Sequence, residues 1–518
     1  MSNTTLPTVL VVGAGVMGAG IAQIAAQAGH RVHLYDAQPG AAATARARLA
    51  QTLQTLADKG KLDAASATAA TARLHAIDTL EQAASGVGLV VEAIVENLEI
   101  KRQLFQQIEA WVDATAILAT NTSSISVTAI AHGLQRPERL VGMHFFNPVP
   151  LMKLVEVVAG LRTDAAVAQQ VFTLAQQWGK TPVHARSTPG FIVNRIARPF
   201  YAEALALLLE QATTPAVLDA ALKAVGFRMG PCELIDLIGH DVNFAVSQTV
   251  FQANFGDRRY VPSLVQREMV EGGLLGRKSG QGFYRYADGK PVATAEAVTL
   301  PVPTSAAPQP SGELIVHGHG PQAQRWQSAL QRAGHAFGTR ADSDWIGLQV
   351  GTAQLRQSDG RTATHTSAAT GVTELAVYDL HLPRTADADA AIPLAFASSA
   401  TASPAWAEQA AAWLALAGYA PLPVQDAAGL IVTRTLAMLI NEASDAVLQG
   451  VCSDTGADTA MKLGLNYPQG PFEWLAAWDA QQVAQVIDHL DAHYRGERYR
   501  VSPLLRARAQ IARLYHAP

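Results

Sequence analysis

The spacing of apolar and polar residues changes period several times along this chain, and each change marks an element. Val9 to Val12 is an unbroken apolar run, suited to a strand buried on both faces of a parallel sheet. It runs into Gly13-Ala14-Gly15-Val16-Met17-Gly18. Apolar residues then recur at helical spacing through Ile21, Ile24 and Ala28 and stop at Gly29. Arg31 to Tyr35 reads as a second strand ending at Asp36. One long helical stretch is expected from about Ala41 to Ala72. Strand-like runs resume at Leu89-Val90-Val91, Ile117-Leu118-Ala119, Val141-Gly142-Met143 and Leu154-Val155-Glu156-Val157. Polar residues follow these runs at Glu92 to Asn97, Thr120 to Ser124 and His144 to Pro148. In an open parallel sheet, the C-terminal edge of the strands is where ligands bind.

The first turn carries a specific chemistry. Gly13 permits the tight turn, Gly15 lets backbone approach a pyrophosphate, and Gly18 lets helix pack closely on strand. Val16 and Met17 open the helix, whose free N–H groups and positive dipole end face the phosphates. Asp36, at the end of the second strand, can accept hydrogen bonds from ribose hydroxyls and would repel a 2′-phosphate. The expected cofactor is therefore NAD rather than NADP.

Oxidation of a secondary alcohol needs a hydride acceptor, a base and groups that hold the oxygen. The nicotinamide is the acceptor. His144 is the best-placed candidate base, because imidazole titrates near neutral pH. Glu156, twelve residues on, can bond the far ring nitrogen and stabilise the imidazolium. Structural alternatives stand beside each reading. His144, next to two phenylalanines, can be a satisfied core histidine. Ser123 can cap the following helix, and Glu96 can be an acid in a first helical turn.

Composition narrows the class. With 518 residues, 49% hydrophobic and 16% charged, the chain can build several cores. A net charge of −4 and the lack of a Lys/Arg run argue against nucleic acid and anionic membranes as partners. Cys232 and Cys452 form no CxxC pair, which speaks against zinc or a disulfide framework and for a reducing cytoplasm. The first charged side chain is Arg31, so the apolar N-terminus reads as strand and helix rather than as a signal peptide or a membrane span.

The second half echoes the first. A Pro/Ala/Ser/Thr-rich linker precedes Leu314-Ile315-Val316-His317-Gly318-His319-Gly320, which matches the first strand and turn but lacks the third glycine near Gln322 and Ala323. Pro189-Gly190-Phe191-Ile192-Val193-Asn194-Arg195 matches Ala428-Gly429-Leu430-Ile431-Val432-Thr433-Arg434. Glu203 matches Glu442, and Gly230-Pro231 matches Gly470-Pro471. The expected fold is α/β plus all-α with an internal duplication. It comprises a Rossmann domain (1–186), a helical substrate or dimerisation-type domain (187–290), a linker (291–312), a reduced Rossmann-like domain (313–423) and a second helical domain (424–518). Residues shared by both halves, such as Arg195/Arg434 and Glu203/Glu442, are expected to be structural, as paired buried charges. Asn194 becomes Thr433, and the stretch expected to match the His144 strand, Pro393 to Ala397, has no histidine. One active site per chain is expected.

The phrases GAGVMGAGIAQ, VVEAIVEN, NTSS, HFFNPVPLMKLVEVV and TPGFIVNR, in this order, resemble the L-3-hydroxyacyl-CoA dehydrogenases over about residues 6 to 290. The resemblance implies that His144 is the general base and Glu156 its partner. It implies that Ser123 contacts the substrate oxygen and that Asn194 lies near the reacting centre. Glu96, Lys101, Ser123 and Asn147 become contacts near the nicotinamide. Lys59 and Lys61 become candidates for CoA, with solvated surface lysines as the alternative. The acyl-CoA is expected to enter between the Rossmann and helical domains. The long two-half form resembles bacterial 3-hydroxyadipyl-CoA dehydrogenases of phenylacetate breakdown, so a 3-hydroxyadipyl or 3-hydroxybutyryl thioester is expected. Arg198, Arg228 and Lys278 are the cations that could meet a terminal carboxylate. In short members the helical domains pair between subunits; here the two copies are expected to pair within the chain, with a homo-oligomer also open. A sugar-acid dehydrogenase of the same superfamily and a non-catalytic NAD sensor are the rival readings.

Overall fold

The computed structural model describes residues 6–83, 86–292, 308–382 and 391–515. The chain divides into two compact units: Met1–Arg195 with Gln449–Leu465, and Ile196–Leu448 with Asn466–Pro518. The division does not follow the order of the two halves, because a short piece of the second half belongs with the N-terminal sheet. Most of the expected linker, 293–307, lies outside the described residues.

The first unit opens with β1 (Thr8–Val12), α1 (Val16–Gln27) and β2 (Val32–Tyr35). Then come α2 (Ala41–Asp58), α3 (Ala64–Arg73), β3 (Leu74–Ala76), β4 (Val87–Glu92), α4 (Leu98–Trp111), β5 (Ile117–Thr120) and α5 (Val127–Ile130). It continues with β6 (Leu140–Phe145), β7 (Leu154–Ala159), α6 (Ala165–Gln177), β8 (Thr181–Arg186) and α7 (Val193–Ile196). The eight strands lie in the order β3-β2-β1-β4-β5-β6-β7-β8. β1 is paired on both sides in parallel, and Val9 to Val12 are buried, as an apolar run in a doubly covered sheet requires. Ile21 and Ile24 of α1 pack with Val9, Val11 and Leu34 in one core.

Two local expectations are corrected. The single helix from Ala41 to Ala72 is two, because Gly60 adopts a left-handed φ of 64°. Asp63 then caps α3 by accepting the Ser66 N–H at 2.8 Å. The sheet also gains an edge strand, β3, beside β2.

The second unit contains α8 (Arg198–Leu209), α9 (Pro215–Ala224), α10 (Pro231–Ile238), α11 (His240–Ala253), α12 (Leu264–Glu271) and the small hairpin β9 (Tyr286–Ala287) with β10 (Lys290–Pro291). The reduced sheet follows: β11 (Leu314–His317), α13 (Pro321–Arg332), β12 (Gly338–Arg340), β13 (Gly347–Val350), β14 (Ala353–Gln357), α14 (Ala363–Thr370), β15 (Leu375–Tyr378), β16 (Ile392–Ser398), α15 (Pro404–Leu416) and β17 (Tyr419–Pro423). The second helical copy is α16 (Val432–Leu448), α17 (Asp454–Leu465, which belongs to the first unit), α18 (Pro471–Trp478), α19 (Ala480–Tyr494) and α20 (Pro503–Tyr515). The sheet is reduced because β13 and β14 form an antiparallel hairpin turning at Gly351, which has φ 58°. β13 also lies antiparallel to β11, where β4 runs parallel to β1 in the first sheet.

Within this second unit α8 packs against α16, and the buried charges of the two helical copies answer one another. Glu203 accepts from Arg434 Nε at 2.9 Å, Arg498 Nη2 at 2.9 Å and Tyr499 Oη at 3.0 Å. Glu442 accepts from Tyr260 Oη at 2.6 Å and pairs with Arg259 at 3.5 Å. Each copy's glutamate thus meets an Arg-Tyr pair of the other, the reciprocal pattern of an isologous interface. The sequence expectation of paired buried charges is met for Glu203 and Arg434, with the partners on different copies.

Candidate active site

At the β1 turn, Gly13 has φ 106°, and a Cβ there would lie 2.5 Å from the Ala93 carbonyl oxygen. A Cβ on Gly18 would lie 1.8 Å from the Gly13 oxygen, so both positions demand glycine. Nothing lies within 4 Å of the Cβ direction at Gly15, which leaves open space above the turn. Gly15 is the N-cap of α1, no side chain caps the helix, and Val16 is exposed. The first-turn N–H groups therefore face a cradle that suits a pyrophosphate. Asp36 ties the turn to β2: Oδ2 accepts the Ala14 N–H at 2.7 Å and Oδ1 the Gln38 N–H at 2.9 Å. These residues fit NAD.

The ends of β4 and β5 carry a second cluster. Buried Lys101 donates to buried Glu92 at 2.6 Å and lies 3.3 Å from Glu96. Glu96 Oε1 accepts the Thr122 hydroxyl at 2.7 Å and the N–H groups of Ser123 and Ser124 at 3.0 Å each. Burial alone would raise the Glu96 carboxyl; these donors and the Lys101 charge outweigh it and hold the group below the usual carboxylate range. Neither structural alternative describes these residues. Asn97 caps α4 by accepting the Ile100 N–H, Glu96 precedes that cap, and Ser126 rather than Ser123 caps α5. Of the residues bonded to Glu96, Lys101 is buried and Ser123 partly exposed.

The third cluster explains how two residues twelve apart meet. β6 and β7 run antiparallel, and their register sets His144 directly opposite Glu156. His144 Nδ1 lies 2.6 Å from Glu156 Oε2. The other oxygen, Oε1, accepts the N–H groups of Ile192 and Val193 at 2.9 and 3.0 Å. Both side chains are buried, and the rings of Phe146 and Phe191 flank the imidazole at 4.6 and 5.7 Å. A carboxylate held this way fixes the Nδ1–H tautomer, so Nε2 is the nitrogen left to take a proton. Asn194 follows Val193 on α7 and is half-buried; Asn147 is exposed past the end of β6. Lys59 and Lys61 are exposed at the α2–α3 turn.

Two residues of this site were missed in the sequence. Asn121 Oδ1 accepts the Phe145 N–H at 2.9 Å and fastens the end of β6 to β5. Buried Lys180 donates to the carbonyls of Val149 and, at 2.8 Å, Met152, pinning the loop after His144. A polar residue just past an apolar strand could have flagged Asn121; nothing local flags Lys180.

The second half lacks these arrangements among its described residues. Pro321, without an N–H, opens α13, and Ala323 takes the place of Gly18. Gly318 N donates to Arg340 O as Gly13 N does to Tyr35 O, so Ala341 stands where Asp36 does. The strand matching β6 is β15, which lies parallel to β14 and antiparallel to β16, and not the stretch Pro393 to Ala397 expected from the sequence. No histidine lies in β15. Asp379, at its end, accepts the N–H groups of Ile431 and Val432 at 2.9 and 2.7 Å, the task Glu156 performs in the first half.

A Rossmann sheet with an open glycine turn, an acid at the end of its second strand and a buried His–Glu pair fits an NAD-dependent dehydrogenase. Models of known families agree. Residues 8–188 match the 3-hydroxyacyl-CoA dehydrogenase NAD-binding domain, and 190–286 and 429–517 match the C-terminal domain of that family. Residues 355–427 match the 3-hydroxybutyryl-CoA dehydrogenase reduced Rossmann-fold domain. The 3-hydroxyadipyl-CoA dehydrogenase of Escherichia coli K12 is 41% identical over 98% of this chain and 99% of its own length. A probable 3-hydroxybutyryl-CoA dehydrogenase of Deinococcus radiodurans is 44% identical over 53% of this chain and 99% of its own. The crystal structure of 3-hydroxybutyryl-CoA dehydrogenase from Escherichia coli K12 superposes with a TM-score of 0.87, at 40% identity, covering 99% of this chain and all of that one. The chain belongs to the 3-hydroxyacyl-CoA dehydrogenase family, in its long two-half form. Among the described residues no helix is long and apolar enough to cross a membrane.

Proposed function

We propose that this chain oxidises the 3-hydroxyl of a (3S)-3-hydroxyacyl-CoA through the His144–Glu156 dyad, with 3-hydroxyadipyl-CoA as its preferred substrate. The observation that carries the mechanism is the 2.6 Å contact of His144 Nδ1 with a carboxylate whose other oxygen is tied to two backbone N–H groups. NAD, when bound, supplies the acceptor for the hydride leaving C3. His144 Nε2 takes the hydroxyl proton, and Glu156 stabilises the imidazolium that results. Ser123 and Asn194 hold the substrate oxygen. Gly13, Gly15, Val16, Met17 and Gly18 form the phosphate turn, and Asp36 selects the ribose without a phosphate. Glu96, Lys101 and Asn147 shape the nicotinamide side, with Lys101 acting through Glu96. Lys59 and Lys61, exposed cations on the Rossmann unit, meet the phosphates of CoA. In the reverse direction the same groups reduce the 3-oxo thioester.

The adipyl preference rests on the full-length similarity to the hydroxyadipyl-CoA enzyme of Escherichia coli. The 3-hydroxybutyryl thioester is the competing substrate, favoured by the likeness to the 3-hydroxybutyryl-CoA dehydrogenase of Escherichia coli K12. The paired helical copies, in this reading, make within one chain the contact that short members make between subunits. The unpaired thiols of Cys232 and Cys452 suit a cytoplasmic enzyme. NADH formation with 3-hydroxybutyryl-, hexanoyl-, decanoyl- and adipyl-CoA tests the substrate. A kcat/KM at least ten times higher for the adipyl thioester is expected; equal or better use of the butyryl ester refutes the preference.

A further inference from the structure

Residues Gln449–Leu465 come from the second half yet belong to the compact unit that holds the dyad. The Arg186 N–H at the end of β8 donates to Val451 O at 2.9 Å, and Arg195 Nη1 donates to Gln449 Oε1 at 2.8 Å. α17 then runs against β7 and β8. Ala457, Ala460, Met461 and Gly464 are buried along one face of it, at the spacing of a single helical stripe. The first helical copy does the reciprocal thing in the other unit, where α9 packs on β16, the counterpart of β7.

The tightest approach is at Gly464. A Cβ there would lie 2.8 Å from Leu154 Cδ2 and 3.0 Å from Val193 Cγ2. Leu154 is two residues before Glu156 on β7, so the two share a face of the strand. Val193 is one of the two residues whose N–H holds Glu156 Oε1. Gly464 is therefore seated against both the strand that carries the carboxylate and the turn that grips it. Near the start of the same segment, half-buried Cys452 has its thiol pushed up to about 12, by burial first and then by the charge of Glu156.

We infer that Gly464 is a positioning residue for the dyad. Its missing side chain lets a helix from the second half seat on Leu154 and Val193 and hold Glu156 in register with His144. The inference rests on the dyad reading above, and it gives the non-catalytic half a part in the reaction: α17 completes the support of an active site in the other half.

Full-length Gly464→Val and Gly464→Ala test this beside Glu156→Gln. Alanine is a better helix former than glycine, so Gly464→Ala does not weaken α17 itself. The expected result is a kcat lowered at least tenfold by Gly464→Val and less by Gly464→Ala. The KM for NAD should be unchanged, and the acidic limb of the pH profile for alcohol oxidation should be displaced. Adding Val193→Ala, which makes room while keeping the backbone N–H, should restore part of the loss. A variant that lowers only the melting temperature, with kcat and pH profile unmoved, overturns the positioning role. So does a loss that Val193→Ala fails to relieve. If Glu156→Gln itself retains full turnover, the dyad reading has failed instead, and the two failures are told apart.

Discussion

Glu203 is the sharpest test of how the two helical copies are joined. Its carboxylate is 1% exposed and accepts from Arg434, Arg498 and Tyr499, and the Arg434 side chain is itself fully buried. Glu203→Leu keeps an apolar body in place but leaves the Arg434 guanidinium without its closest carboxylate, with Glu210 3.7 Å away and two tyrosine hydroxyls as partners. Breaking a buried pair from one side costs about 3–5 kcal/mol. The remaining neighbours place the expected loss at the low end, about 3 kcal/mol. The assay is urea unfolding of Glu203→Leu, Arg434→Met and the double variant. The double variant should recover part of the loss, because the second change removes the stranded charge, with a coupling of about 1–3 kcal/mol. The pH dependence has a definite sign. Burial raises the Glu203 carboxyl, but Arg498 and Arg434 outweigh it and hold the folded value below the ordinary one. Its contribution is therefore present above the unfolded carboxylate value and is lost as pH falls through the folded one. Glu203→Leu should lack that acid-sensitive part. A loss under about 1 kcal/mol, or strictly additive single changes, would refute the reasoning, since exposed pairs behave that way.

Two further outcomes follow from the site. Asp36→Ser should raise the KM for NAD about tenfold, through the lost hold on the Ala14 N–H, and improve relative use of NADP; steady-state kinetics with both cofactors checks it, and an unchanged cofactor ratio counts against the assignment of Asp36. Burial, with the nearby Lys153 charge, pushes the Lys180 ammonium down to about 8, so between that value and the unfolded one the unfolded chain holds the extra proton and stability rises with pH. Relative to Lys180→Met, the wild type should gain about 2 kcal/mol in unfolding free energy between about pH 7.5 and 9.5, and a gap that stays flat would show that the ammonium is not desolvated.

How much of this was legible in the sequence depended on the range of the interaction. The glycine turn, its helix and Asp36 are local, and the structure places each where the spacing implied. The identities of His144 and Glu156 were legible too, but the reason they meet was not. A run of apolar residues does not say that β7 turns back antiparallel on β6 inside an otherwise parallel stretch of sheet, and that reversal sets their register. The same blindness to strand direction misplaced the counterpart of β6 in the second sheet, where β15 rather than β16 is the match. The break between α2 and α3 was visible as Gly60 and Asp63 but was overridden by the helical periodicity on both sides. The roles of Lys180 and Gly464 arise only from neighbours distant in the chain, and no local pattern encodes them. The shared Arg and Glu positions of the two halves signalled a structural role correctly, while their exchange between copies needed coordinates.

The most direct measurement is the single-turnover rate of NADH formation from 3-hydroxyadipyl-CoA by wild type, His144→Ala and Glu156→Gln, with NAD binding followed separately. A base oriented by a buried carboxylate predicts a loss of about a hundred- to ten-thousand-fold for His144→Ala. Glu156→Gln should lose a large factor as well, with NAD binding intact in both. Turnover within a few-fold of wild type in His144→Ala would contradict the dyad and with it the assignment of chemistry to this site.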